Sequence, residues 1–296
     1  MKKISREEQL YIEAHKLHDE YFMYKHADEI NSEVTITSND ALSSINKLLR
    51  AYEHNIKQFN SKPNKLLSWL WHHTIPPIIF YRTLFNFKVY FNIRDHSFAL
   101  YSSRDYLQYA ENILQHMNKP GIVWDVGCNA GIYSFWFASC KFNTVVAFDI
   151  SLTNIDLLST SVKINNLTHI IRPIHAALSI HRTKYIPPKN GVASNKIVPS
   201  KGEYEDVGKL HYSLPYYEAV TYYGIPVIIK MDIEGGEKEF LRDAEFISWA
   251  WNNNVKLIIE IHDIDYIYTY LPLWLDVYKF KVTLTGCSLI IDPIRE

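Results

Sequence analysis

Three ionisable side chains, Lys230, Asp232 and Glu234, alternate along one short apolar run, Ile228-Ile-Lys-Met-Asp-Ile-Glu-Gly-Gly-Glu237. Residues two apart in a strand share a face, so all three project the same way from a hydrophobic segment. Charges in such a setting are costly unless they pair with one another or with a ligand. A second run, Leu257-Ile-Ile-Glu-Ile-His-Asp263, repeats the pattern with Glu260 and His262. If the two strands are neighbours, Asp232, Glu234, Glu260 and His262 converge at one end of a sheet. Two chemistries suit that group. His262, near its unperturbed pKa, serves as general base toward a substrate hydroxyl, with Asp232 as the other proton acceptor and Lys230 and Glu234 orienting them. Alternatively Asp232, Glu260 and His262 ligate a divalent cation. The acid–base role is the expected one. An ion-pair network followed by acidic residues at a helix start is the plain structural reading.

Two further segments have the form of a nucleoside site. Ile122-Val-Trp-Asp-Val-Gly-Cys-Asn-Ala-Gly131 runs from an apolar strand into a glycine turn and a helix, and carries Asp125, Gly127, Asn129 and Gly131 at its end. Ligands of open parallel sheets bind at the carboxyl ends of the strands. The glycines permit a sharp turn and close backbone approach. Asp125 supplies a negative charge that favours the ammonium and sulfonium of S-adenosylmethionine (SAM), whereas a pyrophosphate prefers a helix N-terminus free of carboxylates. Thr144-Val-Val-Ala-Phe-Asp-Ile150 ends in Asp149, placed to accept hydrogen bonds from ribose hydroxyls, and Ile150, placed to pack on adenine. At the next strand end His175 and Ala176 fall where a base-edge contact belongs. The spacing fits a nicotinamide fingerprint poorly, because Asn129 and Ile132 stand at its second and third glycine positions.

The segments that hold these residues alternate strand and helix. Strands are expected at Ile122–Gly127, Thr144–Ile150, Ile170–Leu178, Pro226–Ile233 and Lys256–Asp263, with helices near 131–140, 153–165 and 237–251. Short apolar strands separated by helices imply a parallel sheet covered on both faces. Phe280–Thr285 and Cys287–Ile294, joined only at Gly286, must pair antiparallel. The fold expected is therefore α/β, a Rossmann-like class I methyltransferase sheet, mostly parallel and seven-stranded, ending in an antiparallel hairpin. Upstream, 88–102 reads as a hairpin turning near Arg94-Asp95-His96, and about 105–117 as a helix. Residues 1–60 read as helical, with a second helix at about 39–59. The division expected is 1–87, a helical extension, and 88–296, the catalytic domain.

Composition narrows the partners. Hydrophobic residues make up 47% and charged residues 21% of 296, ordinary globular values. A net charge of −1 gives the whole chain no bias toward nucleic acid. Three cysteines without a CxxC pair make neither a disulfide framework nor a zinc knuckle. No signal-peptide pattern opens the sequence, and the most apolar stretch is broken by His72, His73, Pro76 and Pro77, so a cytoplasmic protein is expected. The window 54–94 has no acidic residue but six Lys or Arg and nine aromatics. It reads as an arm packed on the domain, or as a surface for a glycan, a peripheral membrane contact or single-stranded nucleic acid.

Taken in order, Asp125-Val-Gly-Cys-Asn-Ala-Gly131, Ala147-Phe-Asp149, Lys230-Met-Asp-Ile-Glu-Gly-Gly-Glu237 and Glu260-Ile-His262 resemble the FkbM family of methyltransferases. The resemblance covers about 88–263, and the Lys-x-Asp-x-Glu-Gly-x-Glu run is its most particular part. It implies SAM as cofactor and O-methylation of a hydroxyl on a sugar, glycan or related small molecule. Asp149 stands where the family more often has Glu, and Gly236 where it often has Ala. The connection 179–225, with Ser194 and Tyr204, and residues 1–87 are unmatched. The alternative from another class is a non-catalytic SAM-fold module that binds through the basic-aromatic stretch.

Overall fold

The computed structural model describes residues 34–37, 79–92, 120–140, 144–185, 211–263, 265–275, 277–285 and 288–295. In chain order the first strands are β1 (Val34–Thr37), β2 (Ile79–Leu84), β3 (Phe87–Asn92) and β4 (Ile122–Val126). Helix α1 (Ile132–Ser139), β5 (Thr144–Asp149), α2 (Leu152–Ile164) and β6 (Ile171–His175) complete one half of the main sheet. Two-residue strands β7 (Leu178–Ser179), β8 (Lys184–Tyr185), β9 (His211–Tyr212) and β10 (Leu214–Pro215) lead to α3 (Tyr216–Tyr223). The other half comprises β11 (Ile228–Met231), α4 (Glu237–Leu241), α5 (Ala244–Asn252) and β12 (Lys256–Glu260). A π-helical turn (Tyr266–Tyr270), α6 (Leu271–Leu275), β13 (Phe280–Thr285) and β14 (Ser288–Pro293) follow.

The main sheet runs β1-β13-β14-β12-β11-β4-β5-β6. Strands β12, β11, β4, β5 and β6 are parallel, and β14 is inserted antiparallel between β12 and β13. The chain therefore builds outward from β4 in one direction and from β11 in the other. That reversal between β4 and β11 is a topological switch point, where the crevice at the carboxyl ends takes a ligand. Period-two alternation feeds two cores. Trp124, Val126, Val146, Phe148, Ile229 and Met231 face one side with Phe240 and Phe246. Val123, Val145, Ala147, Ile228 and Ile258 face the other with Phe135, Leu158 and Val162. Burial on both faces explains why these strands read as unbroken apolar runs.

Several expectations change. The seven expected strands are present, and the main sheet adds an eighth, because β1 pairs antiparallel with β13. Its Val-Thr-Ile-Thr sequence is β-branched at every position, which disfavours the helix expected there. A second strand pair, β2 and β3, also lies where a helical extension and a later hairpin were expected. Its turn is Phe85-Asn86, both at positive φ (53° and 67°), as a two-residue hairpin turn requires. The Arg94-Asp95-His96 turn, the helix near 105–117 and the rest of 1–87 lie outside the described residues, as do Gly286 and Cys287. The hairpin docks on α2. Asn165 accepts from the Lys88 amide at 2.9 Å and donates to the Lys88 carbonyl at 2.8 Å. Ser161 Oγ accepts from Tyr90 N at 2.9 Å.

The helix expected over 237–251 is two helices. Asp243 leaves helical geometry and its carboxylate accepts from Phe246 N at 2.7 Å, capping α5. The third expected strand also breaks, with β7 leaving the main sheet to pair with β10. None of the described helices is long and apolar enough to cross a membrane.

Candidate active site

A cleft of about 410 Å³ opens at the carboxyl ends of β4, β5, β11 and β12, within the range of small-molecule sites. Gly127, at φ 75°, forms its floor, and a Cβ there would lie 1.8 Å from the Asp232 carbonyl oxygen. Its amide and that of Cys128 both donate to the Phe148 carbonyl, at 2.9 and 3.0 Å, closing the turn onto β5. Asn129, at φ 52°, donates its amide to Asp149 Oδ2 at 2.8 Å. Ser151 N and Asn154 Nδ2 donate to Asp149 Oδ1 at 2.8 and 3.3 Å. Burial pushes the Asp149 carboxyl up, against the lowering effect of these donors.

Of the residues expected to hold a cofactor, Gly127, Asn129, Asp149, Ile150 and Ala176 line this cleft, but Asp125 and Gly131 do not. Gly131 instead gives α1 its close seat, since a Cβ there would meet Leu158 Cδ1 at 2.4 Å. Asp125 is fully buried. Its Oδ2 accepts from Ser134 Oγ at 2.6 Å, and its Oδ1 lies 3.8 Å from Lys230 Nζ. Burial raises its pKa in spite of Lys230. The parallel register sets Asp125 opposite Lys230, so it faces along the sheet toward that amine. His175 is off the cleft, bonded to the Ile150 carbonyl at 3.1 Å and packed edge-on against His211. Ser179, Thr183 and Ser213 line the cleft from the connection after β6. Ser194 and Tyr204 lie outside the described residues.

Asp232, Glu234 and His262 share the opposite wall of the cleft. Lys230 is buried behind them, 3.4 Å from Asp232 Oδ2 and with its ammonium 4.5 Å from the centre of the Tyr133 ring. Glu260 hydrogen-bonds Asp232. Burial and the Asp232 charge hold Glu260 well above the usual carboxylate range. Burial acts on Asp232 too, but Lys230, Glu260 and His262 hold it below that range.

Glu237 is the residue the sequence reading left among helix-terminal charges. It has no exposed surface. Its carboxylate accepts from Ile233 N at 2.5 Å, Gly235 N at 2.8 Å and the Tyr266 hydroxyl at 2.9 Å. His262 Nδ1 lies 3.3 Å from it. The Glu-Gly-x-Glu spacing was the available signal for Glu237, because the glycine turn folds its carboxylate back under the strand end. No local pattern points to Tyr266. Burial opposes charge on His262, but the Glu237 hydrogen bond and the charges of Glu237, Glu260 and Asp232 push its pKa up to about 9. Around the cleft as it stands the ring is an imidazolium at neutral pH, in contrast to the base of ordinary pKa expected from sequence. Burial and the nearby carboxylates push the buried Cys128 thiol well up, away from the thiolate form.

Strand order and ligand-end geometry together define the fold of the class I SAM-dependent methyltransferases, with its antiparallel β14 between β12 and β13. No family model matches the chain, and no curated protein does. Among solved structures it is similar to the tRNA m1G37 methyltransferase of M. jannaschii, at 14% identity and TM-score 0.39, over 74% of this chain and 57% of that one. It is also similar to an O-methyltransferase from Bacillus cereus in complex with SAH, at 10% identity and TM-score 0.37, over 66% of this chain and 82% of that one. A third likeness is to the ribosomal protein L11 methylase of Lactobacillus delbrueckii subsp. bulgaricus, at 12% and TM-score 0.34, over 66% and 80%. The chain spans little more than half the length of the tRNA enzyme.

Proposed function

We propose that the chain is a SAM-dependent methyltransferase acting on a hydroxyl of a sugar, glycan or related small molecule, in the cytoplasm. The carrying observation is one cleft at the switch point that has Asp149 on one wall and Asp232, Glu234 and His262 on the other. The first wall fits SAM. Gly127 brings bare backbone to the ligand, and Asn129 Oδ1, buried without a hydrogen-bond partner, offers an acceptor beside Asp149. Ala176, Ala177 and Leu178 add a small apolar face suited to adenine. When bound, SAM supplies an electrophilic methyl group.

The chain's own work is positional. The two walls hold an acceptor oxygen in line with the methyl group in a partly desolvated cleft. Asp232, between Lys230 and His262, is placed to take the hydroxyl proton. Lys230 orients Asp232 from behind, and Glu237 fixes the plane of the His262 ring. The resemblance to FkbM enzymes in Lys230–Glu237 and Glu260–His262 supports oxygen as the methyl acceptor.

Calorimetric titration with SAM, SAH and NADH, with and without Mg²⁺, tests the reading. Binding of SAM and SAH but not NADH supports it and directs acceptor screening toward glycans and lipid-linked sugars. Binding of NADH alone, or of none of the three, removes it.

A further inference from the structure

We infer that Asp232, Glu234 and His262 form a binding site for one first-row divalent cation of the Mn²⁺ or Zn²⁺ kind, on the acceptor wall of the cleft. One donor atom from each residue lies within 4.8 Å of the others. His262 Nε2 is 3.6 Å from Asp232 Oδ1 and 3.7 Å from Glu234 Oε2. Those separations are too long for hydrogen bonds. They are close to the spacing of donors around an ion, since bonds of about 2.0–2.2 Å at a tetrahedral angle set donors about 3.3–3.6 Å apart. As the ring stands these are imidazolium–carboxylate ion pairs, and they hold the three groups at the spacing of a coordination set, with the Nε2 proton released when the ion binds.

A second observation lies outside the three. His262 Nδ1 faces Glu237, which is completely buried and fixed by two backbone amides and the Tyr266 hydroxyl. A carboxylate that takes one ring nitrogen fixes the tautomer and turns the other nitrogen toward a metal, the usual support of a ligating histidine. Here it turns Nε2 toward the two carboxylates. Two carboxylate oxygens with one imidazole suit manganese or zinc better than magnesium or calcium, which favour all-oxygen sets. The sequence-expected set of Asp232, Glu260 and His262 changes by one member. Glu260 is turned to Asp232 in a carboxyl pair, and Glu234 takes its place.

Three protein ligands leave open positions toward the cleft, where an acceptor hydroxyl, or two adjacent ones on a sugar, can coordinate. That role rests on the methyl-transfer reading; the cation site itself does not. The test is titration of the full chain with MnCl₂, following loss of the free-ion EPR signal, with ZnCl₂ in parallel by calorimetry and SAH binding as a separate arm. One equivalent of Mn²⁺ is expected, weakened at least 100-fold by Glu234→Gln or His262→Ala and about 10–100-fold by Glu237→Gln. Glu245→Gln, on the outer helix α5, leaves it unchanged. Glu234→Gln is a partly exposed, near-isosteric change, so it remains informative if His262→Ala fails to fold. Failure of both ions to bind, or binding indifferent to Glu234→Gln, overturns the site. SAH binding without Mn²⁺ binding rejects the cation and keeps the cofactor reading, and the reverse result does the opposite.

Discussion

Gly127→Ala is the sharpest single perturbation of this architecture, because it strikes the contact between the two halves of the cleft. The new Cβ would lie 1.8 Å from the Asp232 carbonyl oxygen and 2.8 Å from its carbonyl carbon. An ordinary carbon–oxygen approach is about 3.3 Å, so the ends of β4 and β11 must part by roughly 1.5 Å. The obstacle is backbone, held by the bond from Asp232 N to Val126 O at 3.0 Å, so no side-chain rotation relieves it. A φ of 75° adds about 1–2 kcal/mol for an L side chain. Overpacking of this kind costs about 1–3 kcal/mol, giving a loss on the order of 2–5 kcal/mol. Urea unfolding of the full chain should therefore show a midpoint lower by about 1 M, taking m near 3 kcal/mol/M. Gly236→Ala is the control. Gly236 already has φ −73°, and its new Cβ would meet Ile233 at Cδ1 (3.0 Å) and Cγ1 (3.2 Å), with the Ile233 carbonyl oxygen at an ordinary 3.4 Å. It should stay within about 0.5 kcal/mol of the parent. A Gly127→Ala midpoint as close to the parent as that of Gly236→Ala would refute the reasoning.

Asp149→Ala removes the acceptor of three donors at the cofactor wall and should weaken SAM binding about 10–100-fold by calorimetry, the equivalent of about 1.5–3 kcal/mol. His262→Ala should leave SAM binding intact while lowering turnover by about 100-fold or more, once an acceptor is found; near-normal turnover would assign the ring a structural part. Tyr266→Phe deletes the hydroxyl that donates to Glu237 and should cost about 1–2 kcal/mol, read as a melting-temperature drop of a few degrees. Asn165→Ala cuts both bonds to Lys88. Amide exchange should speed up over 79–92 and stay unchanged in β4 and β11.

Local periodicity made much of the site legible. Alternation puts Lys230 and Glu260 on strand faces, and parallel pairing makes β11 and β12 neighbours. Asp232, Glu234 and His262, however, reach the cleft from the turns just past Met231 and Glu260, with Glu234 at φ 56°. What sequence could not supply was register and non-local pairing. Asp125 and Asp149 look alike, each a carboxylate near a strand end. Asp149 closes its strand at the cleft, whereas Asp125 sits one residue inside, opposite Lys230. Likewise β1 is a strand because β13 offers it an edge, from Val34 beside Leu284 to Thr37 beside Lys281. The pairing of Glu237 with Tyr266 spans 29 residues and depends on a π-helical turn that no apolar pattern announces.

The switch point also explains why the glycine turn after β4 and the end of β11 form one unit. Strand β4 passes directly to a helix and to β5 on one side, while its neighbour β11 arrives much later in the chain and leads to β12 on the other. Hydrogen bonds tie the two strand ends, and Gly127 and Asp232 touch through bare backbone. Any larger residue at 127 must displace Asp232, whose carboxylate reaches both Lys230 and His262. On the proposed methyl-transfer reading, the glycine thus sets the distance between the wall assigned to the methyl donor and the wall assigned to its acceptor. In-line displacement would depend on that distance, so that reading makes glycine at 127 a catalytic as well as a conformational requirement.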